Sequence, residues 1–331
     1  MRRTLLITAV AFSALYLSTA QAQSQPEAGS TTKPVAQMTF STPQAAVDAL
    51  IQALSDYDVP QLMKIFGPEG DKIVASADPV RDKNLGIAFA NRARTKSSIQ
   101  PDPENPNRQI LVVGDDDFPF AVPLVKKDGK WKFDSSAGVT EILYRRIGTN
   151  ELDAIQVCRG YAEAQRQYAL TIHDDSGVNQ YAQKLISTPG KQDGLYWVNP
   201  DGTPGGSVSE PVAKALAEGY TLEKNTAYHG YYFKILKGQG PAAPLGKLNY
   251  VIQGAMIGGF ALLAVPADYR VTGVKTFIVG PDGVVYQKDL GIHSLRIAKD
   301  TELYNPDKSW QETDDQWPPD LDLTTAAVAP N

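Results

Sequence analysis

The residues able to move a proton or hold a metal are few and scattered. Three histidines, His173, His229 and His293, are all that the 331 residues contain. They share no H-x-x-x-H or comparable local spacing, and a zinc site needs three or four converging ligands. His229 is the first choice for a general base, with Asp193 to orient its ring and Tyr196 to give a proton, if the fold brings them together. The alternative for His229 is a hydrogen bond that fixes it at a strand edge. The densest carboxylate run, Asp115-Asp116-Asp117, lacks the spacing of a calcium loop and reads as a solvated turn. Cys158 has no base near it in sequence, and its helical spacing to Ile155 and Tyr161 suits a buried apolar role. No nucleophile elbow, phosphate loop, Cys-x-x-Cys pair or dinucleotide fingerprint occurs, so neither a metal nor a cofactor is expected. Tyr196, Trp197, Tyr228, Tyr231 and Tyr232 concentrate aromatic surface near turns, which serves recognition or packing.

The elements that must position these residues can be read from periodicity. Thr42-Pro43 is an N-cap followed by proline at the first helical position, and Ala46, Val47, Leu50, Ile51 and Leu54 then form one stripe. A second helix holds Leu62, Ile65 and Phe66 and stops at Gly67-Pro68, and a third is expected from Pro79 to about Thr95. Strands follow at 110–113, 120–125 and 130–133, the last two joined by the Asp128-Gly129 turn. Thr149-Asn150 is expected to cap a helix running to about Leu170, and shorter helices are expected at 180–186 and 211–218. An antiparallel meander closes the order. Tyr231, Phe233 and Ile235 alternate with Tyr232 and Lys234, as in a half-solvated strand. Residues 260–265, apolar on both faces, are expected to be the central strand, ended by Pro266. Residues 277–286 carry hairpin chemistry at Pro281-Asp282-Gly283. Gly254-x-x-x-Gly258 imitates a membrane-helix motif, but Gly258-Gly259 and Pro266 suit strand-turn-strand better.

The first residues read as an address. Arg2 and Arg3 precede an apolar run from Leu5 to about Tyr16, and Ala20-Gln21-Ala22 offers small residues where a signal peptidase cuts. Export to the periplasm or beyond, with cleavage near Ala22, is the expectation, and the run is too short for a mature anchor across about 30 Å of bilayer. A net charge of -5 argues against nucleic acid or an anionic membrane as partner. An envelope protein or a small molecule remains.

Residues 38–145, with "Thr-Pro-x-x-Ala-Val-x-x-Leu" and "Asp-Gly-Lys-Trp-Lys-Phe-Asp", resemble the cone-shaped α+β fold of nuclear-transport-factor-2-like proteins. Residues 146–310, through the segments Asn150 to Tyr168 and Thr272 to Tyr286, resemble the globular part of type IV pilins and pseudopilins. The missing membrane-spanning helix half departs from that pattern. Across residues 40 to 310 the chain resembles the bacterial secreted family known as domain of unknown function 2950, most specifically at 187–197, 228–232, 256–261 and 285–291. The expected organisation is therefore a signal peptide (1–22), a linker (23–37), two α+β domains meeting near 145/146, and an acidic disordered tail (311–331). Two functions stay open: a non-enzymatic binding or envelope-assembly module, and a small-molecule hydrolase or isomerase with its pocket in the first domain or at the domain boundary.

Overall fold

The computed structural model describes residues 36–74, 79–103, 105–173, 177–208 and 227–314, which belong to one compact unit beginning at Val35. The segment expected to be a signal peptide, the helix expected at 211–218 and the part beyond 314 of the expected tail lie outside these residues. The fold is α+β with open antiparallel sheets.

Helix α1 (Pro43–Asp56) begins where Thr42 Oγ1 accepts the Ala45 N–H at 3.1 Å, and it buries Ala46, Val47, Leu50 and Ala53. Asp58 caps α2 (Val59–Phe66) in the same way. Short α3 (Gly70–Val74) and long α4 (Pro79–Thr95) follow. The first sheet holds β1 (Ser97–Asp102), β2 (Asn105–Val113), β3 (Phe118–Pro119), β4 (Leu124–Lys127) and β5 (Lys130–Phe133), in the order β1-β2-β4-β5 with β3 also on β2. The single strand expected at 120–125 is broken because Pro119 and Pro123 cannot donate to a ladder. Leu50, Leu62, Ile65, Phe66, Leu111, Leu124 and Phe133 fill this first core, each contributing about 1.5–3 kcal/mol by burial. Gln37, placed by sequence at the end of a linker, already donates to the Phe133 carbonyl at 2.7 Å.

Helix α5 (Ser135–Tyr168) is 34 residues long and crosses the boundary expected at 145/146. It starts fifteen residues before the cap read at Thr149-Asn150, because Asp134 Oδ1 caps Ala137 N and Ser135 Oγ donates to the Phe66 carbonyl at 2.6 Å. Asn150 is a buried mid-helix residue whose amide donates to the Thr272 carbonyl at 2.9 Å. A polar side chain that would suit a cap is satisfied instead by a loop distant in sequence.

Beyond α5, the chain makes β6 (Tyr196–Val198), β7 (Pro204–Gly206), β8 (Tyr231–Leu236), β9 (Gly238–Gln239), β10 (Leu248–Asn249), β11 (Val251–Ile252), β12 (Ala255–Met256), β13 (Ala261–Pro266), β14 (Lys275–Val279), β15 (Val285–Asp289), α6 (Ser294–Asp300) and β16 (Gln311–Glu312). The main sheet runs β16-β15-β14-β13-β8. Strand β13 is buried at every position and paired on both sides, as its two apolar faces require. Gly283, at φ 78, makes the turn into β15. Tyr232 is buried along with Tyr231, so the alternation read in β8 does not leave one face in water at that end. The sheet also takes in Gln311–Glu312, the first two residues of the segment expected to be a disordered tail. Gly254 lies in the two-residue turn between β11 and β12. No helix of the described residues is long and apolar enough to cross a membrane. Cys158 is fully buried in this second core, and burial pushes its thiol up.

Candidate functional site

His229 sits in a tight turn. Tyr228 and Tyr231 exchange both backbone hydrogen bonds at 2.9 Å, with His229 (φ 44) and Gly230 (φ 73) between them in the left-handed region. A Cβ on Gly230 would come within 2.5 Å of Thr272 Cβ, so only glycine fits there. The turn aims the His229 ring at helix α5, where Nδ1–H donates to Asp153 Oδ2, and Tyr228 stacks on the ring at 4.0 Å. The His229 side chain is 46% exposed and the Asp153 side chain 15%. Two residues earlier on α5, Glu151 Oε1 accepts the Val274 and Lys275 N–H groups at 2.8 and 2.9 Å, fixing the helix to the sheet. His229 thus gains an orienting carboxylate, which is Asp153 rather than Asp193.

Asp193 and Tyr196 lie at the other end of α5. Tyr168, in the last turn, donates its hydroxyl to the Gln192 carbonyl at 2.6 Å. Asp153 and Tyr168 are separated by about 22 Å along the helix, so His229 and Asp193 are not brought together. Asp193 accepts hydrogen bonds from Lys184 Nζ, the Thr188 N–H and the Thr188 hydroxyl, all at 2.7–2.8 Å. Burial alone would raise its carboxyl; these hydrogen bonds and the lysine charge outweigh it and hold the group at about 2.

Around Asp193 opens a cleft of about 370 Å³, lined by Tyr168, His173, Gln180, Tyr181, Gln183, Lys184, Lys191, Asp193 and Lys237. Residues 180–186, which contribute to its wall, were expected to be a helix and form an irregular segment instead. The competing partner is Gln165, fully buried on α5, whose amide accepts the Ala182 N–H at 2.7 Å and donates to the Ala182 carbonyl at 2.8 Å. Backbone groups a helix would pair internally are taken by a side chain and by the loop ahead of β6. His173 stacks on Tyr168 at 3.8 Å, and its Nε2–H points to the Tyr168 carbonyl at 3.0 Å. Nδ1 is buried and has no hydrogen-bond partner among the described residues. Lys184 is neutralised by Asp193 at 2.7 Å. Lys191 and Lys237 have no ion-pair partner among the described residues, and both line the cleft with Tyr168 and Tyr181. Asp174 and Asp175 fall outside the described residues.

The other residues singled out in the sequence divide between surface and core. Tyr231 and Tyr232 are core, while Tyr196, Trp197 and Tyr228 are half-buried. A five-residue recognition surface is therefore not formed. Trp197 lies 5.7 Å from the His173 ring, at the back of the cleft. His293 is exposed at the start of α6. Asp116 and Asp117 pair with Arg92 and Lys96. Among the described residues no three His, Cys, Asp or Glu side chains are grouped as metal ligands. The sequence reading missed Asp153, Gln165, Lys191 and Lys237, which no local motif marks because each acts across a long chain separation.

No curated protein and no solved structure matches the chain. A family model described as "Protein of unknown function (DUF2950)" matches residues 37–313, and the chain belongs to that family.

Proposed function

We propose that this is an exported envelope protein, cleaved near Ala22, that works as a non-enzymatic binding module and takes a small acidic molecule into the cleft beside His173. The observation that carries the reading is that two ammonium groups, Lys191 and Lys237, with no ion-pair partner among the described residues, line the cleft together with Tyr168 and Tyr181. Two cations and an aromatic lining select a carboxylate- or phosphate-bearing molecule with a flat or apolar body. The Arg2-Arg3 and Ala20-Gln21-Ala22 pattern supports export. The packing of α5 against β13 and β14 supports likening the second half to a pilin head, with a nuclear-transport-factor-2-like first half built on its own core.

Native mass spectrometry of the chain recovered from expressing cells tests this. The expected result is a non-covalent small acidic adduct that is absent from a Lys191→Ala, Lys237→Ala double variant. Equal adducts on both chains would count against it.

The hydrogen bond between His229 and Asp153 favours a second reading, a hydrolase or isomerase using His229 as base with Asp153 orienting it. Turnover of a small ester or keto acid that disappears in His229→Gln would support that reading over the first.

A further inference from the structure

A second surface follows from the loop between β9 and β10. Leu245 stands at its apex, 92% exposed, with φ 67, a conformation that a bulky side chain rarely adopts. The loop is held from inside. Gln239 is buried, takes the Tyr250 hydroxyl on Oε1 at 2.8 Å, and donates through Nε2 to the carbonyls of Pro244 and Gly246, on either side of Leu245. Its backbone polar groups are also used internally. Ala242 N–H donates to Asn305 Oδ1 at 2.8 Å, Ala243 N–H to the Gly240 carbonyl at 3.2 Å, and Gly246 N–H to the Ala243 carbonyl at 3.0 Å. Pro241 and Pro244 have no N–H to satisfy. A strained, almost fully exposed leucine on a loop pinned from inside is costly in water and suited to an apolar surrounding.

The charge around the loop points the same way. Between Glu223 and Asp268 the sequence holds four lysines and no carboxylate, although the whole chain carries -5. Lys237 and Lys247 flank the loop without ion-pair partners among the described residues, and the nearby Glu302 is taken by Lys234 at 2.7 Å. Leu248 and Ile252, on the strands that follow, are also exposed.

We propose that this loop is a peripheral membrane contact: Leu245 enters the headgroup and acyl boundary of an anionic bilayer while Lys247 meets lipid phosphates. The overall negative charge conceals this local cationic and apolar face. A protein partner would equally bury a leucine, but the four lysines between Glu223 and Asp268, with no carboxylate among them, match an anionic headgroup layer.

The test uses Leu245→Cys carrying an environment-sensitive fluorophore. Cys158, the only native cysteine, is fully buried, so the label attaches to the introduced thiol. Adding phosphatidylglycerol vesicles should shift the emission to the blue, phosphatidylcholine vesicles should not, and a label at Ser98→Cys on β1 should stay silent with both. Leu245→Asn, which suits a positive φ, should melt no lower than the wild type yet lose at least about tenfold in partition to anionic vesicles. Silence at position 245 with anionic vesicles, or unchanged partition of Leu245→Asn, would overturn the proposal. So would a Leu245-dependent protein crosslink in the absence of any vesicle response.

Discussion

The two ends of α5 present histidines in opposite circumstances. At Asp153 the helix meets His229 in a closed arrangement: the carboxylate and ring nitrogen are paired, the turn is locked by Gly230, and Glu151 and Asn150 secure the surrounding backbone. At Tyr168 the helix meets His173 in an open one, with a cleft and, among the described residues, no partner for one ring nitrogen or for the ammonium groups of Lys191 and Lys237. Paired groups hold structure because their hydrogen bonds are already made, whereas unpaired ones retain free energy that a ligand can release. The helix is the common frame, so changes can be chosen to break both ends, one end or neither.

The largest effect should come from Leu262→Asp, because Leu262 is fully buried in β13 between Ile235 and Val279. A carboxylate there has no partner, costs several kcal/mol and should unfold the sheet under both histidines. Limited proteolysis should show digestion beyond about residue 146 with the first core spared; an unchanged pattern would contradict the burial.

Gln165→Ala should separate the two ends. Removing its amide leaves the Ala182 N–H and carbonyl unsatisfied in the interior, at a cost of about 2–4 kcal/mol. Hydrogen exchange should accelerate at 177–187 while the turn at 228–231 keeps its protection. Equal acceleration at both places would erase the distinction.

These residues also show what the sequence made legible. The meander could be read because β13 is apolar on both faces and Asp-Gly turns mark the hairpins, both short-range signals. The start of α5 and the loop at 177–187 could not, because Asn150 and Gln165 find partners 122 and 17 residues away. Such choices are made by tertiary packing and leave no local trace. For the same reason His229 could be singled out as a candidate base, while Asp153 as its hydrogen-bond partner could not.

Acid provides a milder probe of the cleft. The Asp193 carboxyl, held at about 2, lies below its ordinary value, so its stabilisation is present above about pH 4 and is lost as the pH falls toward 2. The effect is about 1 kcal/mol after allowing for partial exposure. Asp193→Asn should flatten this part of the acid transition, and an unchanged profile would show that the Lys184 pair carries no such linkage. Smaller still, Asp153→Asn should cost under about 1 kcal/mol at neutral pH, since its partner is half-exposed. It should leave ligand capture in the cleft untouched, as differential scanning fluorimetry with and without ligand would show.

The most direct measurement is calorimetric titration of the chain with citrate, inorganic phosphate and benzoate at low salt. At least one should bind saturably, with affinity falling as salt is added and falling about tenfold or more in the Lys191→Ala, Lys237→Ala double variant at unchanged melting temperature. No heat from any of the three at 10-fold molar excess and above, or the same affinity in the double variant, would contradict the assignment of the cleft as an anion-binding site.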